Sequence, residues 1–134
     1  MEVNYMIPKF RAWWIQDEVM THIDTLEFLQ GGIRVSDGCW HEKFLGDEVI
    51  LMQSTGLIDR NGVEIFEGDI VKVTNHPFQK KEDSAGIEID GDYLIGWSDH
   101  NLTWLAGDLL LYQLKPYIEV IGNIYENPEL LEVE

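Results

Sequence analysis

Four histidines (His22, His41, His76 and His100) and one cysteine (Cys39) are the residues best suited to metal, acid–base or nucleophilic chemistry. Metal sites built on one element show dense ligand spacing, as in HExxH. None of the four histidines sits in such a pattern, so they read as loop or surface histidines. Cys39 and His41 are two apart and would share one face of a strand, as a thiolate–imidazole pair would require. Nothing in the sequence lowers the thiol pKa, however, and Glu42 opposes an anion there, so Cys39 reads as semi-buried and inert. A single cysteine also excludes an intramolecular disulfide and a cysteine-based metal cluster within one chain.

Carboxylates are abundant, as Asp17-Glu18, Asp47-Glu48 and Asp90-Gly91-Asp92. Glycosidase-type chemistry needs two carboxylates at a set separation with unequal pKa values, and abundance supplies neither. Asp90-Gly91-Asp92 resembles the start of a calcium loop, but the twelve-residue ligand pattern is absent, so it reads as a hairpin turn. Gly31-Gly32 lacks the spacing of a phosphate-binding fingerprint, and no GK[ST] occurs. Gly62 and Gly68 read as turn residues. The sequence therefore assigns no catalytic, cofactor-binding or metal-binding residue. Five tryptophans stand out instead, with Trp13 and Trp14 adjacent. On a strand, neighbours point to opposite faces, so one enters the core. The other faces solvent, a second layer or another subunit, and aromatic enrichment favours a protein interface.

The elements that would carry these residues are strands. Met6 to Ile15 reads as a strand just after Pro8. Asp17 to Phe28 fits a helix or two strands with a bend; turns at Gly31-Gly32 and Asp37-Gly38 favour two strands. Ile33 to Val35 is a short strand between those turns. Asp47 to Ser54 is another, interrupted at Gly56 by a bulge or bend. Asp59-Arg60-Asn61-Gly62 forms a polar turn in which the Asn-Gly pair favours positive φ. Val63 and Ile65 follow, then a turn at Glu67-Gly68-Asp69 and a strand Ile70 to Val73 with Lys72 toward solvent. Residues 75–86 read as a loop around Pro77. Ile87 to Ile89 and Tyr93 to Ile95 would form a hairpin through Asp90-Gly91-Asp92, with Trp97 extending its second strand. His100 to Gln113 fits either a helix or a strand from Leu109 to Leu114. Tyr117 to Tyr125 alternates as a strand, Asn127-Pro128 starts a short helix, and residues 132–134 fray.

Length and composition agree with this pattern. The chain has 134 residues, 45% hydrophobic and 25% charged, which suits one globular domain spanning residues 1–134. The formal net charge is −16. Nucleic-acid backbones and anionic membranes are bound through clustered cations, so neither is expected as a direct partner. The adjacent basic pair Lys80-Lys81 is followed at once by Glu82-Asp83. The start, MEVNYMIPKF, does not read as a signal peptide, and no apolar run reaches membrane-spanning length. The cytoplasm is the expected compartment.

Three stretches resemble the YopX-like family of small phage and prophage proteins: Lys9 to Trp13; Leu51 to Val71, reading LMQSTGLIDRNGVEIFEGDIV; and Val120 to Leu131, reading VIGNIYENPELL. They cover roughly a third of the chain, in the family's order. The chain has Trp14 where the family usually carries Asp, Ser54 where Tyr is frequent and Ile58 where Lys is frequent. The middle, from about Thr74 to Pro116, matches no family block. The resemblance implies a mainly β protein, a small barrel-like or multi-sheet antiparallel fold with at most one or two short helices. It also implies a phage or prophage origin and a homo-oligomer. It supplies no catalytic residue and no cofactor.

The expectation is a non-enzymatic accessory protein acting through self-association and through contact with a host or phage protein. Two alternatives remain open at this stage. One is a small metal- or ligand-dependent enzyme whose histidines and carboxylates meet in space. The other is an acidic DNA mimic that captures a DNA-binding protein.

Overall fold

The structure is a computed structural model that describes residues 8–39, 41–46, 48–77 and 88–131. Among the described residues the protein is mainly β, with three antiparallel sheets and one four-residue α-helix. The chain divides into two compact units, residues 1–54 and 55–134.

The first unit holds β1 (Phe10–Trp14), β2 (Val19–His22), β3 (Thr25–Leu29), β4 (Gly32–Ser36), β5 (Glu42–Phe44) and the first half of β6 (Val49–Ile58). β1 lies between β2 and β6, with Trp14 opposite Val19 on one side and Val49 on the other. The strands β3, β4 and β5 form a separate sheet in that order. Alternation along β1 puts Ala12 and Trp14 into a core with Val35 and Val49, ringed by Ile23, Leu26, Ile33 and Leu51. Trp13 points to the opposite face and is half-buried. The one polar atom of the Trp14 ring is satisfied, since Nε1–H donates to Thr21 Oγ1 at 2.6 Å. The two-strand reading of Asp17 to Phe28 is therefore the right one. β5 has no counterpart in the sequence analysis; its Glu-Lys-Phe pattern carries too little apolar alternation to announce a strand.

The second unit holds the rest of β6, then β7 (Glu64–Phe66), β8 (Asp69–Val73), β9 (Gly91–Ser98), β10 (Thr103–Ala106), β11 (Leu109–Leu110), α1 (Leu111–Leu114) and β12 (Ile118–Asn123). Its sheet has the order β11-β10-β9-β8-β12. Val71, Val73, Ile95, Ala106 and Ile118 meet Ile65, Ile89, Leu111 and Leu114 in one core, while Lys72 is exposed as its place in the alternation demands.

Several expectations need correction. β6 does not end near Ser54 but runs on to Ile58, with Gly56 inside it at φ 80°. The Thr55 hydroxyl donates to the Ile65 carbonyl at 2.7 Å and accepts the Leu57 N–H at 3.1 Å, which patches the ladder around that glycine. In the Asp59–Gly62 turn it is Gly62, at φ 83°, that takes the left-handed conformation. Gly62 N–H donates to the Asp59 carbonyl at 3.0 Å and Asp59 N–H to the Val63 carbonyl at 2.8 Å, so Arg60 and Asn61 are the central residues.

Asp90-Gly91-Asp92 is not a hairpin turn. Residues 88–90 are not strand, and Gly91 and Asp92 begin β9 opposite Val73 and Lys72 of β8. The Asp90 carboxylate accepts the Asn75 and His76 N–H groups at 3.3 and 3.4 Å, a long-range tie in place of a local turn. Between His100 and Gln113, neither the long helix nor the strand Leu109–Leu114 forms as such. A hairpin of β10 and β11 turns at Gly107, φ 61°, and hands over to the short α1. β12 matches the Tyr117–Tyr125 reading, with a register shift between Val120 and Gly122. Asn127-Pro128 opens a 3-10 turn over Pro128–Leu131. Most of the 75–86 loop and the 132–134 tail lie outside the described residues. Among those described, no helix is long and apolar enough to cross a membrane.

Candidate functional site

Two clusters bring functional side chains together, one in each unit. In the first, Asp37 follows β4 directly and folds its carboxylate over the following turn. Its Oδ1 accepts the backbone N–H groups of Cys39 at 2.9 Å and His41 at 3.0 Å. Its Oδ2 lies 2.7 Å from His41 Nδ1. The other ring nitrogen, Nε2, lies 3.1 Å from Asp17 Oδ2, in the turn between β1 and β2. The Trp14 ring closes one side, its centroid 4.9 Å from that of the imidazole. Burial works to raise the Asp37 pKa. The Cys39 amide, the His41 ring and the His41 amide outweigh it and hold the carboxyl below its ordinary value.

A neutral imidazole has one N–H, so hydrogen bonds to both carboxylates at once require the doubly protonated ring. An Asp–His pair of this geometry can orient an imidazole for proton transfer. Here the second nitrogen already faces a carboxylate, so the arrangement acts as a clamp between the 15–18 turn and the 37–41 loop. His41 pairs with Asp37 and Asp17, and Cys39 is exposed instead of semi-buried. The sequence marks a turn at Asp37-Gly38, and the Asp37 carboxylate caps it through the Cys39 N–H two residues on. Asp17, 24 residues away from His41, carries no such signal.

The remaining sequence candidates do not converge. His76 is buried against Tyr117, ring centroids 5.0 Å apart, which corrects its reading as a loop or surface residue. His22 and His100 are exposed, on β2 and in the β9–β10 turn. Glu48 forms an ion pair with Lys43, and Asp47 lies outside the described residues. Among the described residues no group of three or more His, Cys, Asp or Glu is arranged to hold a metal ion.

The second cluster is aromatic. Trp97 and Trp104 stand opposite each other on β9 and β10, edge to face with ring centroids 5.2 Å apart. Tyr93, Ile95 and Trp97 share one face of β9; the first two meet the core, whereas Trp97 overhangs its end and is 47% exposed. Its Nε1–H donates to Asp99 Oδ1 at 2.8 Å. At the hairpin tip Leu102 is 75% exposed and sits at φ 52°, a left-handed conformation that leucine pays for and that Asn or Gly adopts readily. The sequence analysis singled out Trp13 and Trp14, and this pair was missed. Its sequence signal is two tryptophans symmetric about the loop Asp99 to Leu102.

Comparison with known proteins adds a family and a fold. A crystal structure of protein EF1440 from Enterococcus faecalis is similar at 29% sequence identity and a TM-score of 0.62, covering 96% of this chain and 100% of that one. A comparison with curated proteins finds no match. The family description "YopX protein" matches residues 9–132, spanning the three blocks noted above and the variable middle between them, and so the chain belongs to the YopX family.

Proposed function

We propose that the protein is a non-enzymatic accessory protein of a bacteriophage or prophage that works in the host cytoplasm through protein–protein contact, self-association included. The observation that carries this reading is the apolar surface left on the β3–β4–β5 sheet. Phe28 is 76% and Phe44 52% exposed, and Leu29, next to Phe28 in sequence, is exposed as well. Leu29 and Phe44 lie on the same face, flanking Gly32, because Leu29 pairs with Gly32 and Phe44 with Arg34 two residues on. Arg34 on that face pairs with Glu27 at 2.6 Å and with Glu42 at 3.3 Å, so charge is locally balanced around the apolar side chains. Phe28 pairs with Ile33 and so lies on the opposite face, which leaves Leu29 and Phe44 as the adjacent exposed apolar pair, and contiguous exposed apolar side chains mark interaction surfaces. β3 and β5 are also edge strands, which other chains can approach. The reading treats the two units as parts of one YopX-like domain, supported by a family match that spans both.

Multi-angle light scattering after gel filtration, at about 0.15 M and 1 M salt, tests the reading. A discrete oligomer that survives high salt and is lost in the Leu29→Ser/Phe44→Ser variant is expected. The monomer mass at both salt concentrations ends the self-association reading.

A further inference from the structure

Asn61-Gly62 is the one asparagine–glycine step in the sequence; the other asparagines precede Tyr5, His76, Leu102, Ile124 and Pro128. Such a step carries its own chemistry. The backbone nitrogen after an asparagine can attack the side-chain amide carbon, and glycine has no side chain to hinder the approach. A bond forms between Gly62 N and Asn61 Cγ, the side-chain nitrogen leaves as ammonia with the proton of Gly62 N, and a cyclic imide results. Water then opens the imide at either carbonyl, giving aspartate or isoaspartate at 61. Water is the sole co-reactant, and Asn61 and Gly62 are both exposed to it.

The folded turn holds the two groups where this ring cannot close. The nucleophile is the electron pair left when Gly62 N–H loses its proton, and that pair lies along the former N–H direction. Here that direction is aimed at the Asp59 carbonyl, 3.0 Å away, and so not at Asn61 Cγ. Swinging it onto Cγ means rotating the 61–62 peptide and breaking that bond. The peptide is held on both sides, because Asp59 Oδ1 accepts Asn61 N–H at 2.8 Å and Val63 N–H at 2.9 Å. The turn is in turn fastened to β12, by Val120 N–H on Asp59 Oδ2 at 2.9 Å and by Arg60 N–H on the Ile118 carbonyl at 3.0 Å. The Arg60 guanidinium adds Glu119 at 2.7 Å and Thr74 at 3.0 Å.

We propose that Asn61-Gly62 is a latent modification site, kept closed by the Asp59 bonds and opened when the 59–62 turn comes off β12, so that aspartate or isoaspartate at 61 marks chains that have unfolded there. The mark is one-way, since ammonia is lost. Isoaspartate also lengthens the backbone between 61 and 62, so the Gly62 and Val63 bonds to Asp59 cannot both re-form in register. The proposal does not depend on the protein-binding reading above.

The test follows conversion at Asn61 by mass-spectrometric peptide mapping, at one mildly alkaline pH, in three samples: the folded full chain, the full chain unfolded in urea, and a synthetic peptide of residues 58–64, IDRNGVE. The peptide and the unfolded chain are expected to convert alike. The folded chain is expected to convert at least about a hundredfold more slowly, since it reacts only from the opened turn. Asp59→Asn weakens the turn's bonds and is expected to convert at least about tenfold faster than the folded parent, the factor that one weakened buried hydrogen bond makes in an opening equilibrium. Amide exchange at Gly62 in the parent is expected to be slowed as much as conversion is, and this measurement needs no variant to fold. A folded parent that converts at the peptide's rate overturns the proposal, as does faster conversion at Asn75 or Asn101 than at Asn61 in the unfolded chain. So does an Asp59→Asn chain that is folded by circular dichroism yet converts no faster than the parent. A Gly62 amide that exchanges freely while Asn61 stays intact overturns it as well, because the turn would then be open without reacting.

Discussion

His41 is held between two carboxylates, with Asp37 Oδ2 2.7 Å from Nδ1 and Asp17 Oδ2 3.1 Å from Nε2. The Asp37 side chain is largely buried and, despite that burial, its hydrogen bonds from Cys39 and His41 keep its pKa low. The folded state therefore favours the ionised carboxylate more than the unfolded chain does. The stability this contributes is present above the ordinary aspartate pKa of about 4 and is lost as pH falls through the lowered folded value. Urea midpoints should fall as pH drops from about 6 to about 3, and Asp37→Asn should make that fall shallower. An unchanged acid limb in Asp37→Asn would mean that the hydrogen bonds do not favour the ion.

Asp59 is a second depressed carboxyl, with a more structural task. It is 4% exposed. Burial pushes its pKa up, and the amides of Val120, Val63 and Asn61 with the nearby Arg60 charge pull it further down. Oδ1 accepts Asn61 and Val63 N–H at 2.8 and 2.9 Å, and Oδ2 accepts Val120 N–H at 2.9 Å, 61 residues away. Asp59→Ala leaves all three N–H donors without their acceptor and should cost about 2–4 kcal/mol, since each buried orphan donor is worth about 1–3 kcal/mol. Asp59→Asn can restore one face but turns an NH2 toward a donor, so it should recover only part of the loss. Urea denaturation of the two variants measures both; a loss below about 0.5 kcal/mol in Asp59→Ala would show that water replaces the carboxylate there.

The residues around Asp59 show what a sequence makes legible. Turn chemistry at Gly62 and Gly68 and the outward place of Lys72 on β8 are local signals, and each is met in the structure. The errors fall where distant groups decide. Asp90 looks like half of a tight turn, but its carboxylate serves Asn75 and His76 backbone groups, so the strand begins after it. β5 is short and charged, and it exists because β4 offers it a register. The His41 clamp needs Asp17 from another turn, and no spacing rule joins residues that far apart. The Trp97–Trp104 pair depends on a hairpin registered by Ser98 opposite Thr103, and its second strand lies within the His100–Gln113 segment, which fits either a helix or a strand.

Gly68 gives a sharper stability test. It sits at φ 87° between Phe66 and Asp69, its N–H donates to the Ile95 carbonyl at 3.0 Å, and its carbonyl accepts Ile124 N–H at 2.9 Å. A β-branched side chain is strongly disfavoured at positive φ, and the two bonds prevent the backbone from rotating away. Gly68→Val should destabilise the chain by at least about 2 kcal/mol, with Gly68→Asn costing less because Asn tolerates the left-handed region. Thermal melts of the two variants check the order, and equal melting temperatures would count against strain as the cause.

The charge of the whole chain sets the last expectation. With a formal net charge of −16, carboxylates repel one another throughout the folded state. The ion pairs of Arg34 with Glu27 and Glu42, Lys43 with Glu48 and Arg60 with Glu119 are all open to solvent. Pairs this exposed to solvent contribute little to stability. Salt screens both effects, but the repulsion sums over many more charges than the attraction does. At about 0.01 M salt the screening length is about 30 Å, so repulsion acts across much of a protein this size; at about 0.15 M it is about 8 Å. The urea midpoint should therefore rise between these two conditions. It should rise less in a variant that replaces exposed Asp92 and Asp108 with Asn, which removes two charges from residues 88–114, a stretch with no lysine or arginine. A midpoint that falls with salt would mean that the ion pairs outweigh the net repulsion.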